Sequence, residues 1–119
     1  MSNGLEWRPL CDVDAVEPGT HKVFHLGGRR LCAINDGGVY HVLDDQCTHG
    51  VAYLSEGYLD TDEAVVECPL HGGLFCYRDG SPKGDPAEKP VRSHPTRIEG
   101  RMVSVGLRVD PDDRTEEPV

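Results

Sequence analysis

Glycine and proline punctuate this chain so densely, fourteen and nine times in 119 residues, that the segments between them cannot sustain long helices. Glycine raises the entropic cost of a regular run, and proline removes a backbone donor. The intervening apolar runs are short, so the chain reads as mostly β. Thr20 to Leu26, Leu31 to Ile34 and Val39 to Leu43 are strand candidates, and Asp36-Gly37-Gly38 supplies the positive-φ residues of a tight hairpin between the last two. Tyr58-Leu59 and Ala64 to Glu67 bracket Asp60-Thr61-Asp62-Glu63 as a second hairpin, and Leu74 to Tyr77 leads into the turn Arg78-Asp79-Gly80. A last hairpin is expected from Val91 through Ile98, turning at Glu99-Gly100 and returning as Arg101 to Leu107. Leu10 to Val16 is the one helical candidate, a capped single turn ended by Pro18-Gly19.

At this length the chain suits one domain, placed at residues 1–107, with an acidic, proline-bearing tail at 108–119 that buries little. A catalytic domain beside a cofactor domain does not fit. No apolar run approaches the ~20 residues needed to cross a bilayer. The first residues lack the basic-then-apolar pattern of a secretory signal, so a soluble cytoplasmic protein is expected. In that reducing compartment five cysteines, an odd number, read as metal ligands or buried thiols rather than a disulfide framework. A net charge of -9 disfavours nucleic acid and anionic membranes as partners, and leaves open docking of an acidic face onto a basic protein.

Two ligand pairs stand out, Cys47-Thr48-His49 and Cys68-Pro69-Leu70-His71, with residues 50–67 between them. Gly50 follows the first pair and Gly72-Gly73 the second, which lets the backbone of both loops approach an inorganic core closely. Two thiolates with two imidazoles suit a mixed-ligand iron–sulfur cluster, in which the imidazoles raise the potential above that of an all-cysteine site. The same donor set also suits structural zinc. In either case each loop contributes one cysteine and one histidine, so metal binding clamps two hairpin ends together and becomes part of the folding energy.

Cys47-Thr48-His49-Gly50 and Cys68-Pro69-Leu70-His71-Gly72 resemble the Rieske signature. The likeness extends through Leu54-Ser55-Glu56-Gly57, Tyr58-Leu59, Val66-Glu67 and Phe75 to the ferredoxin components of bacterial aromatic-ring-hydroxylating dioxygenases, and covers most of residues 5 to 107. The resemblance implies an antiparallel all-β fold with a small cluster-binding subdomain, about residues 45–77, inserted in a larger β domain. It implies one [2Fe–2S] cluster, with Cys47 and Cys68 on an inner iron and His49 and His71 on an outer, near-surface iron. The implied partners are a flavin-dependent reductase that supplies single electrons and a terminal oxygenase that receives them. Pro82, Pro86 and Pro90 match the family's proline-rich covering loop. High-potential Rieske proteins carry an extra disulfide between the cluster loops and hydroxyl donors toward sulfur. The matching positions here are Ala52 and Leu70, and Gly73 and Phe75, so a potential near the low end of the Rieske range, roughly −150 mV, is expected.

Cys11, Cys32 and Cys76 lie outside the signature and read as small buried hydrophobes. His21, His25, His41 and His94 show no metal spacing and read as surface or ordinary hydrogen-bonded residues, while Trp7 and Phe24 are core or edge candidates. Gly27-Gly28 and Gly37-Gly38 are turn glycines, since no phosphate-binding Lys or helix follows either. Three other functions compete. A Rieske hydroxylase would need a further domain for mononuclear iron, held by two histidines and a carboxylate. A zinc-stabilised interaction module would be colourless. A carrier or small subunit of another oxidoreductase, such as a nitrite reductase, shares the same ligands.

Overall fold

The computed structural model describes residues 5–47, 52–70, 72–84 and 89–108. Among these residues eleven strands form three sheets, and every strand pairing is antiparallel. The first sheet has the order β1 (Leu5–Asp12), β11 (Met102–Arg108), β10 (Thr96–Glu99). The second runs β2 (Thr20–Leu26), β3 (Arg29–Asp36), β4 (Val39–Asp44), β9 (Ser93–His94). The third holds β5 (Leu59–Asp60), β6 (Val65–Glu67), β7 (Leu74–Cys76) and β8 (Pro82–Gly84).

β3 explains how these sheets stack. Leu31 to Asn35 are all buried, and successive side chains point to opposite faces of a strand. Leu31 and Ala33 join Tyr40, Val42, Val103, Val105 and Leu107 in one core, against the first sheet. Cys32 and Ile34 join Leu43, Val66, Phe75, Tyr77 and Val91 in another, against the third sheet. The second sheet is therefore the middle layer, which is why its central strand reads as a continuous apolar run rather than an alternating one.

The third sheet is an insertion. The chain leaves the middle layer at the end of β4 and returns as β9, which pairs with β4 through Val42↔His94 and Leu43↔Ser93. The insertion thus leaves and re-enters the middle layer at one point, and packs on that layer through the shared core. Its last strand, β8, lies beyond Tyr77, where the sequence placed the end of the subdomain. Of the tail placed at 108–119, Arg108 ends β11 opposite Leu5, and residues 109–119 lie outside the described residues.

Two sequence expectations are corrected. The residues Leu10 to Asp12 belong to strand β1 rather than to a helix. The capped single turn itself begins after the strand, the Asp12 carboxylate accepting the Asp14 N–H at 2.9 Å. The expected strand from Val91 through Ile98 is divided at Pro95. β9 pairs with β4, whereas β10 pairs with β11, so one stretch serves two sheets. By contrast, Gly37 and Gly38 occupy positive φ (62° and 99°) between the paired residues Asp36 and Val39, a two-residue hairpin turn as expected.

Candidate metal centre

Both signature cysteines stand at the base of a loop of the insertion, and both are buried, Cys47 2% and Cys68 0% exposed. They share one apolar cluster with Ala52, Leu54, Val66 and Phe75. His49 and His71 lie outside the described residues, so the described part of the site is its thiol half.

The first loop is closed by backbone bonds. Cys47 N–H donates to the Ala52 carbonyl at 2.8 Å and Leu54 N–H to the Asp45 carbonyl at 2.7 Å, and Gln46 and Tyr53 form a bridge between the two legs. Side chains reinforce it. The buried Asp45 carboxylate accepts Arg30 Nε–H at 2.7 Å, Ser55 N–H at 2.7 Å and the Ser55 hydroxyl at 2.9 Å. The second loop closes through Cys68 N–H to the Gly73 carbonyl at 2.7 Å and Gly72 N–H to the Cys68 carbonyl at 3.0 Å, with Gly72 at φ 77°. The loops also meet each other's flanks, since a Cβ on Gly57 would lie 1.7 Å from the Glu67 carbonyl oxygen.

This surrounding fits a soft, sulfur-ligated centre. Two buried thiols at the ends of tightly closed turns offer soft donors to iron, and the apolar cluster around them excludes water. No hydroxyl faces the site from the positions singled out in sequence. Phe75 is fully buried, and the hydroxyl of the nearby Tyr77 is committed elsewhere, donating to Asp36 Oδ2 at 2.8 Å. Ala52 is buried and Leu70 is 54% exposed, and neither offers a thiol for a loop-to-loop disulfide. Of the three proline positions, Pro82 opens β8 opposite Phe75, Pro90 is exposed, and Pro86 lies outside the described residues.

Most of the remaining described cysteines and histidines are buried, hydrogen-bonded or packed on a ring. Cys32 is fully buried, and burial pushes its thiol pKa far up. Cys11 is half-buried, its pKa raised by burial and then by Asp12. Cys76 is half-buried as well. His21 Nε2 lies 3.1 Å from the Gly57 carbonyl oxygen, His94 Nε2 lies 2.8 Å from Asp44 Oδ1, and His41 packs on the Tyr77 ring with centroids 5.2 Å apart. His25 is exposed on β2. Among the described residues no group of three or more His, Cys, Asp or Glu side chains could hold a metal ion. No helix among them is long and apolar enough to cross a membrane. Sequence reasoning missed Arg30, Asp45 and Ser55 as supports of the first loop. The available signal was the register of the hairpin turning at Gly37-Gly38, which carries Asp45 opposite Arg30, where Asp45 N–H donates to the Arg30 carbonyl at 3.0 Å.

Comparison with known proteins agrees with this geometry. Residues 6–95 match the family model of the Rieske [2Fe-2S] domain. The chain is 46% identical over 102 residues to the biphenyl dioxygenase ferredoxin subunit of Pseudomonas sp. (strain KKS102), covering 85% of this chain and 92% of that protein. The ferredoxin of carbazole 1,9a-dioxygenase from Nocardioides aromaticivorans IC177 superposes with a TM-score of 0.80 at 29% identity, covering 83% of this chain and 95% of that one. A ferredoxin solved in a complex of reduced oxygenase and oxidized ferredoxin in carbazole 1,9a-dioxygenase gives 0.78 at 32% identity, over 87% and 95% of the two chains. With its insertion, its two buried thiols and a match spanning most of its length, the chain belongs to the Rieske [2Fe-2S] family, whose cofactor is a single Rieske-type cluster.

Proposed function

We infer that this chain carries single electrons from a flavin-dependent reductase to a terminal ring-hydroxylating oxygenase in the cytoplasm, with Cys47 and Cys68 holding the inner iron and His49 and His71 the outer one. The observation that carries the reading is the pair of buried thiols, Cys47 and Cys68, in one apolar cluster, in a chain akin to dioxygenase ferredoxins over most of its length. The chain is an electron-transfer component rather than an enzyme. When bound, the cluster takes up and returns one electron.

The residues of this chain do the rest. Leu54, Val66 and Phe75, each fully buried, keep water from the thiol side. Leu70, the neighbour of His71 in sequence, is exposed, which supports approach of a partner from that side. A groove of about 510 Å³ on the outer face of the inserted sheet is lined by Asp60, Glu63 and Glu67 against Lys83, which suits approach by a basic protein. Raising the ionic strength is expected to slow electron transfer, and rates insensitive to salt would remove that role. The reading places residues 1–107 in one domain and 108–119 in a tail.

Iron, zinc and acid-labile sulfide analysis with low-temperature EPR of the dithionite-reduced protein tests the assignment. Two irons and two sulfides per chain with a Rieske-type signal are expected. One zinc without sulfide, in anaerobically prepared protein, would replace the carrier with a structural module.

A further inference from the structure

One arginine from the middle layer clasps both legs of the first ligand loop. Arg30, on β3, donates from Nε to Asp45 Oδ2 on the outgoing leg at 2.7 Å. Its guanidinium also lies over the Tyr53 ring on the returning leg, with Cζ 3.7 Å from the centroid. Asp45 itself spans the legs, Oδ1 accepting Ser55 N–H and Oδ2 accepting the Ser55 hydroxyl. The Asp45 side chain is fully buried while that of Arg30 is 31% exposed.

A fully buried carboxylate is stable only while its cationic partner and hydrogen bonds stay in place. Closing the hairpin does not require it, because the backbone bonds of Asp45, Cys47 and Leu54 already do so. What the pair adds is a fixed charge arrangement close to a ligand. Asp45 precedes Cys47 by two residues, which keeps the two Cα atoms within about 8 Å. Arg30 is moreover the cation that neutralises Asp45, its other acidic neighbour, Glu56, lying farther off at 3.9 Å.

With Cys47 as a ligand, the reading on which this rests, the geometry points to Arg30 and Asp45 as positioning residues for the cluster: Asp45 fixes the legs of the loop, and Arg30 cancels its charge so that the added electron is not opposed. The signs follow from electrostatics. Without Arg30 a bare carboxylate opposes reduction and the potential falls. With Asp45 neutral, an uncompensated guanidinium favours reduction and the potential rises.

The experiment is an EPR-monitored redox titration of the full chain, with iron and sulfide determined for each sample. The series comprises wild type, Arg30→Gln, Arg30→Lys, Asp45→Asn and the double variant Arg30→Gln/Asp45→Asn. Expected are a lower potential for Arg30→Gln, a higher one for Asp45→Asn, and near wild-type values for Arg30→Lys and for the double variant. Bracing alone would shift both single variants the same way, without restoration in the double. Loaded proteins in which the two single variants shift together, or not at all, overturn the inference and leave the ligand assignment standing. A wild type without iron and sulfide overturns the assignment and the inference with it. Should Arg30→Gln fail to retain its cluster, Asp45→Asn at or below the potential of Arg30→Lys is the overturning result.

Discussion

Gly57→Ala tests how firmly the two ligand loops are tied together. The methyl group would meet the Glu67 carbonyl oxygen at 1.7 Å, the Glu67 carbonyl carbon at 2.9 Å and Pro69 Cδ at 3.1 Å. Backbone strain plays no part, because φ −99° and ψ −170° at Gly57 suit alanine. Real Cβ contacts essentially never fall below 3.0 Å, so the two backbones must separate by more than an ångström. Glu67 is held on both sides, its N–H donating to the Tyr58 carbonyl at 2.8 Å and its register fixed opposite Leu74. It also immediately precedes Cys68, so the displacement passes to the second ligand loop. Overpacking of this kind costs about 1–3 kcal/mol. At roughly 3–6 °C per kcal/mol for a domain of this size, Tm should fall by about 3–18 °C. Melting is followed in parallel by far-ultraviolet circular dichroism and by visible absorption of the cluster, which should bleach before the sheets unfold. Gly28→Ala is the control, because nothing lies within 4 Å of its Cβ position and φ is +83°. It should lose only about 1–2 kcal/mol from the left-handed backbone, with both signals falling together. A Gly57→Ala protein melting within about 2 °C of wild type, with superimposed transitions, would refute the tie.

Tyr77→Phe removes the hydroxyl that bonds Asp36 and should cost about 1–3 kcal/mol in chemical denaturation. Burial, and then the Asp36 carboxylate, pushes the Tyr77 phenol up to about 12 from 10.0. The native protein thus holds this proton more tightly than the unfolded chain. Its contribution is complete below pH 10 and is lost as pH rises through about 12, so Tyr77→Phe should flatten the alkaline fall in stability. Ala64, buried at φ 60°, is left-handed without being glycine, and Ala64→Gly should raise stability by about 0.5–1 kcal/mol, read from the denaturation midpoint. His71→Cys should change the EPR signal and lower the potential if the cluster still assembles, and an unchanged potential would contradict ligation by His71.

What was legible in the sequence follows from where the physics is local. Thr20–Leu26 was read with its final boundaries, and the hairpin at Gly37-Gly38 was evident, because turn chemistry and strand pattern agree over a few residues. The strand Leu5–Asp12 was hidden by Pro9, which normally argues against a strand. It is tolerated because β1 is at a sheet edge and the register shifts between Pro9 and Cys11. The division at Pro95 was not legible either, since it depends on which distant strand each half meets. At the candidate site, Cys47 and Cys68 stand out in sequence by their spacing to histidine, and the structure buries both in one apolar cluster. The salt bridge from Arg30 to Asp45 was not read, although the register of the β3–β4 hairpin carries Asp45, one residue past β4, opposite Arg30; the ion pair there depends on how deeply that end of the hairpin is buried.

The single exit and re-entry point of the insertion bears on how the protein can change. Asp44 and His94, fifty positions apart in sequence, face each other where the chain departs and returns. Closing such an excursion costs roughly 3–4 kcal/mol of chain entropy, and that cost grows only with the logarithm of its length. A loop can therefore be added to or removed from the insertion for a few tenths of a kcal/mol without disturbing the strand register of the two larger sheets. The scaffold and the redox end are in this sense separately variable. Changes of exposed surface at one need no compensating change in the other, provided they spare the shared core, the contacts of His21 with Gly57 and of Tyr77 with Asp36, and the Asp44–His94 pair.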